Sequence, residues 1–163
     1  MSNKGQAWIT DFIISFFIFA IGLILVSRFL FNAGVDNNFN EVRSESELLS
    51  EYLFSEGVPS DWDNNSVVRI GLLTDDRLNI TKLEMLYNMS YNESKYYLST
   101  PFDYLIYFQQ NGTILNISGC GFGPVILNCN QTIVSADHKD LAKISRFVVY
   151  NSSIIEMVLY VWK

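Results

Sequence analysis

The stretch FIISFFIFAIGLILVS, residues 12–27, carries no charged side chain, and its reading decides how the rest of the chain is arranged. Extended back to Ala7 and on to Phe31, the mainly apolar run reaches 25 residues. About 20 helical residues cross the hydrocarbon of a bilayer, and a helix is the one single-segment way to satisfy the backbone there. A buried core helix of this length would normally carry a polar stripe, and none is present. A cleaved signal peptide has a shorter apolar region with small residues before the cut, whereas this run is long and strongly aromatic. Charge alone fixes no direction across the membrane: Lys4 lies on one side, and Arg28 and Arg43 lie on the other among Glu41, Glu45 and Glu47.

The remaining residues supply the direction. Asn-X-Ser/Thr occurs at Asn64, Asn79, Asn88, Asn92, Asn111, Asn116, Asn130 and Asn151. Chance would give roughly two from this composition. Of the ten Asn beyond residue 60, eight fit the pattern, while Asn3, Asn32, Asn37, Asn38 and Asn40 all fail it. A bulky glycan is tolerated only on exposed surface, so the split points to an exported region beyond about residue 60 and a bare segment before it. The competing reading is that an Asn-rich composition inflates the count by itself. Cys120 and Cys129 flank a segment turned by Gly121, Gly123 and Pro124, and read as a small disulfide-closed loop of an oxidising compartment; two unpaired buried thiols are the alternative.

Composition excludes several functions. A net charge of −6 in 163 residues, with pI near 4.6, offers no clustered Lys/Arg for phosphate neutralisation, so no nucleic-acid partner is expected. His138 is the single histidine, and Gly-x-Ser-x-Gly, P-loop, metal-spaced and dinucleotide patterns are all absent. Asp61, Asp63, Asp75 and Asp76 are acidic loop positions without the spacing of a calcium loop, and read as solvated turns. No catalytic site, metal or cofactor is expected.

Past the apolar run, Val35, Phe39, Val42, Leu49 and Leu53 fall at offsets 0, 4, 7, 14 and 18, a one-face helical pattern with charged residues elsewhere. Gly57 and Pro59 stop it. The spacing therefore predicts a helix over residues 7–56, loosened around 32–34. Its second half needs a partner, most simply the chain's own outer domain. Residues 66–73 (SVVRIGLL) read as a strand and 79–88 as a short amphipathic helix. Residues 102–109 and 113–118 flank Asn111-Gly112, a strong hairpin signal. Residues 144–150 and 154–162 form a second hairpin around 151–153, and 136–142 a surface turn or one helical turn. The expected fold is α+β: a long transmembrane and amphipathic helix, then an antiparallel β-sheet head.

At the amino terminus Lys4-Gly5-Gln6 stands directly before Ala7-Trp8-Ile9-Thr10-Asp11 and the apolar run. This resembles the class III signal peptide of archaeal type IV pilin-like proteins. In that family a membrane-embedded prepilin peptidase removes a short charged leader at a basic-Gly-Gln junction, and the retained helix later packs in a filament core. The resemblance is specific over residues 4–27 and loose over the whole architecture. It implies a leader over 1–6, a transmembrane helix over 7–31, an amphipathic stem over 32–57 and an extracellular β-rich domain over 58–163. The implied partners are the membrane, the peptidase and other pilin subunits. A cut before Gln6 would place Asp11 sixth in the mature chain and a cut after it fifth, the family's commoner position for an acidic residue, usually Glu. An ionised carboxylate inside lipid is normally paired, and the new α-ammonium of the same or a neighbouring subunit is the implied partner of Asp11. Alternatively, Asp11 sits among headgroups as a helix-start residue favoured by the helix dipole. The expected role is a pilin-like subunit, accessory rather than bulk. Its rival is a non-polymerising single-pass surface adhesion or receptor glycoprotein.

Overall fold

A computed structural model describes residues 4–33, 37–124, 129 and 140–163. The chain divides into two compact units, residues 1–37 and 38–163. The first is a single helix, α1 (Lys4–Ala33). The second, the head, opens with α2 (Asn37–Leu53) and continues through β1 (Leu73–Thr74), β2 (Arg77–Leu78), α3 (Ile80–Asn88), α4 (Tyr91–Tyr97), β3 (Asp103–Gln110), β4 (Thr113–Ile114), β5 (Leu141–Tyr150) and β6 (Ser153–Trp162). The protein is therefore α+β, with a long apolar N-terminal helix followed by a mixed β-sheet.

Among the described residues the sheet has six strands, in the order β1-β2-β5-β6-β3-β4. All pairs are antiparallel except β2 with β5, which run parallel at Arg77 and Val149. The expectation of a wholly antiparallel sheet is corrected on that point. Each of its three tight turns places two residues in the left-handed region: Asp75 and Asp76 (φ 49° and 58°), Asn111 and Gly112 (51° and 79°), and Asn151 and Ser152 (46° and 62°). Both central residues of a type I′ hairpin turn have positive φ, which Asn, Asp and Gly tolerate best.

Period-two alternation sends Ala142 and Val148 of β5, Ile155, Met157, Leu159 and Val161 of β6, and Tyr104, Ile106 and Phe108 of β3 into one core. α2 lies against this face through Val42, Leu49 and Leu53, with Ser46 and Ser50 buried between them. Ser46 Oγ donates 2.7 Å back to the Arg43 carbonyl, and Ser50 Oγ accepts from Arg146 Nε. The stem helix therefore packs on its own head. Phe39, on the expected apolar stripe, stays 42% exposed, and Val35 lies outside the described residues.

Several expected boundaries move. α2 ends at Leu53, because the carbonyls of Leu53 and Ser55 accept from Leu72 and Leu73 N–H at 3.0 and 2.9 Å. That same bonding explains why residues 66–73 are not a strand. Val67 N–H closes a turn onto Asp63 O, and Arg69 pairs with Val58 in an isolated bridge. This connection is pinned by Trp62, 1% exposed, whose Nε1 donates 2.9 Å to Gly71 O. Gly71 has to be glycine there: a Cβ would meet Gly57 N at 2.1 Å. In the 113–118 run only Thr113 and Ile114 pair as strand. β5 begins at Leu141, so the end of the expected turn over 136–142 is strand, and residues 136–139 lie outside the description.

The sheet has two distinct ends. At one, Trp162 pairs with Leu141 and Asp103, and Lys163 Nζ meets Glu41 Oε2 of α2 at 3.5 Å. At the other lie the β3–β4 and β5–β6 turns side by side, where Gln110 Nε2 donates 3.4 Å to Ile154 O.

Candidate functional site: the apolar helix and the surface of the head

Within α1, Ile9–Arg28 is a 20-residue stretch long and apolar enough to cross a membrane, and none of it is buried. At 1.5 Å per residue it spans about 30 Å, the hydrocarbon thickness of a bilayer. Its large apolar side chains are 47–67% exposed, from Ile13 to Phe12. Ser27 Oγ donates 2.5 Å to Leu23 O, satisfying its hydroxyl within the helix. Asp11 and Arg28 are the charged residues of the stretch, one near each end. Lys4, Gly5 and Gln6 lie in the first turn of α1, which runs through them into Ala7 without a break.

Of the sequon asparagines, Asn64, Asn88, Asn92, Asn111, Asn116 and Asn151 are exposed. Asn79 is half-buried and occupied in capping α3. Its side chain accepts from Lys82 N–H at 3.2 Å and donates to Thr74 Oγ1 at 3.0 Å. Asn130 lies outside the described residues. Cys120 and Cys129 stand at disulfide distance, with Cα atoms 5.0 Å apart. The neighbouring Phe122 exchanges backbone hydrogen bonds with Ile106 of β3 at 2.8 and 2.9 Å, so one end of this loop is stitched to the sheet.

In the acidic loops, the Asp63 carboxylate is satisfied by its own turn. Asp63 Oδ1 accepts from Asn65 N, Ser66 N and Ser66 Oγ at 2.8–2.9 Å, and these bonds lower its pKa. Asp75 N–H donates 3.2 Å to Glu56 Oε1. Among the described residues no group of three or more His, Cys, Asp or Glu could hold a metal ion; His138 is not among them.

Three features escaped the sequence reading. Ser90 and Glu93 form a reciprocal capping box that starts α4, a helix not foreseen although Ser-x-x-Glu is its standard signature. Lys82, 4% exposed, extends its ammonium to the carbonyls of Glu56 and Leu73 at 2.9 and 2.7 Å; burial lowers its pKa, opposed by the carboxylates of Glu56 and Asp61. A lysine in an amphipathic helix gives no sequence sign that it points inward. Last, Phe147, Val149 and Ile154 are exposed on the sheet face opposite α2. The signal for these lay in the unbroken run FVVY, which puts apolar side chains on both faces. Comparison with protein-family models, with curated proteins and with solved structures finds no match for this chain.

Proposed function

We propose that this chain is an archaeal type IV pilin-like subunit of the accessory kind, anchored by α1 and assembled into or onto a cell-surface filament, with its head outside the cell. The single observation that carries the reading is an apolar helix of membrane length with exposed large apolar side chains, followed in sequence by a head with a core of its own. Such a helix requires a non-aqueous environment. Lipid supplies one before assembly and a bundle of like helices supplies one after it, so burial is conserved across the transfer. Lys4-Gly5-Gln6 would be read by a prepilin peptidase, and Asp11 would pair with the freed α-ammonium. The exposed sequon asparagines would carry glycans on the exterior. The role is mechanical and not catalytic.

The test is to isolate native material, sequence its amino terminus and shear the cells. A chain beginning at Gln6 or Ala7, recovered in a sheared filament fraction, is the expected result. A persistent Met1 or Ser2 terminus with no such fraction would replace the filament with a permanent single-pass anchor. A start beyond residue 30 would remove the anchor altogether.

A further inference from the structure

Phe147 is 70% exposed, Ile154 68% and Val149 37%, all on the sheet face away from α2. The register sets Val149 opposite Ile154 and Phe147 opposite Glu156, so the three side chains make one strip across β5 and β6. Elsewhere on the same face Leu105, Tyr107 and Val158 are buried, Leu141, Tyr160 and Trp162 are half-buried, and Lys143 and Ser145 are polar. Single exposed apolar residues are ordinary. A contiguous strip that includes a phenyl ring is a surface on which an apolar face can pack.

Two sequons border the strip. Asn151 occupies the turn joining the two strands, two residues beyond Val149 and three before Ile154. Asn111 occupies the adjacent turn, directly after the Gln110 whose amide reaches the Ile154 carbonyl. Both asparagines are exposed with positive φ. In each tripeptide the hydroxyl residue, Thr113 or Ser153, is the first paired residue of the next strand. At about 3.3 Å per strand residue, Asn151 lies within roughly 7 Å of Val149 and 13 Å of Phe147 along β5. A short oligosaccharide covers that span.

We propose that this strip is the seat of an N-linked glycan on Asn151, flanked by a second on Asn111. The inference rests on the reading of the head as exported. Pyranose rings present C–H faces that pack on phenyl and aliphatic side chains, while their hydroxyl edges stay in water. Bulk attached on two sides would also keep a protein partner off the strip. In the attachment step, Asn151 Nδ2 bonds to the anomeric carbon of a lipid-phosphate-linked oligosaccharide. The bond from that carbon to the phosphate oxygen breaks, the lipid phosphate leaves with the electron pair, and Nδ2 gives up one of its two protons.

The experiment uses the full chain purified from native membranes, with glycopeptide mass mapping and a thermal double-mutant cycle on N151Q and F147S. S153A, which removes the sequon but keeps the asparagine, is the control. The expected result is an occupied Asn151, with N151Q and S153A each lowering Tm by about 2–4 °C in the Phe147 background and leaving it unchanged in F147S. Enzymatic deglycosylation of the wild type reproduces the loss. An occupied Asn151 with no coupling to Phe147 overturns the proposal, as does an empty Asn151 beside occupied sequons elsewhere. Self-association of the wild type that F147S abolishes would make the strip a contact between copies and overturn it too. All sequons empty in a chain still held in membranes overturns this inference and leaves the anchoring reading standing; an empty chain found free in the aqueous fraction takes both down.

Discussion

Lys82 shows how a single side chain organises the head. Its ammonium joins the carbonyl of Glu56, just past the end of α2, to that of Leu73 at the start of β1. Lys82→Met keeps most of the stem but removes the ammonium from the Glu56 carbonyl and leaves that of Leu73 with the Thr74 hydroxyl at 2.9 Å, so it should destabilise the full chain in detergent by about 1–3 kcal/mol. Chemical denaturation measures this; an unchanged midpoint would show the two bonds to be dispensable. A second expectation concerns the phenols. Burial raises the pKa of Tyr87 to about 12, and that of Tyr91, Tyr104 and Tyr107 higher. Tyr91 is further held by Asp103 Oδ1 at 3.1 Å and by Tyr104 N–H at 2.9 Å, and Tyr104 Oη donates 2.6 Å to Ser94 Oγ. A phenol whose folded pKa lies above its unfolded value of 10.0 keeps its proton in the native chain after the unfolded chain has lost it. Its stabilisation is complete below pH 10 and is lost as pH climbs through the folded pKa. Lys82, shifted the opposite way, adds stability with rising pH up to its ordinary 10.5, but it is one group against four. Tm should therefore fall from about pH 10 upward, with tyrosinate absorbance lagging that of the unfolded chain. Coincident titration of folded and unfolded chains would refute the assignment.

At the scale of elements, turns were the most legible feature and short strands the least. Asn111-Gly112 and Asn151-Ser152 read correctly because positive φ restricts which residues can serve, a local rule that needs no knowledge of neighbours. The second turn carries a serine where glycine would be unstrained. Ser152→Gly should raise stability by about 1 kcal/mol, read as a higher Tm, while retaining the Asn-Gly-Ser sequon; a lower Tm would show that Ser152 makes a contact worth more than its backbone strain. Residues 66–73 misled for the opposite reason. Their β-branched composition is that of a strand, but their backbone groups are taken by Val58 and by the end of α2, partners fixed only by tertiary structure. α4 was legible in principle from Ser90 and Glu93. Glu93→Gln weakens that cap. The serine hydroxyl and Ser90 N–H lower the pKa of Glu93 below its ordinary 4.5, so its contribution is present above that pH and disappears as pH falls through the folded value. The variant should be less stable than the wild type at neutral pH and should show less of the acid-induced loss, measured by Tm at the two pH values.

At the scale of the whole molecule, the apolar helix was legible because composition and length alone define it, whereas the exposed strip at the paired turns required the strand register. A charge in α1 tests the first directly. Leu23→Arg should add roughly 2.5–3.5 kcal/mol to the cost of placing the helix in lipid, seen as a shift of the chain out of the carbonate-washed membrane pellet; full retention would argue against a spanning role. The order of the strands has a kinetic consequence. β6 is flanked by β5 and β3, pairs along the length of both, and follows both in sequence. β3 thus waits about fifty positions for its neighbour, and this pairing is incomplete until residue 162 has left the ribosome and, for an exported head, the translocation channel. Each of the sequon asparagines precedes β6 and would cross before that strand zips onto β3, within reach of a sugar-transferring enzyme.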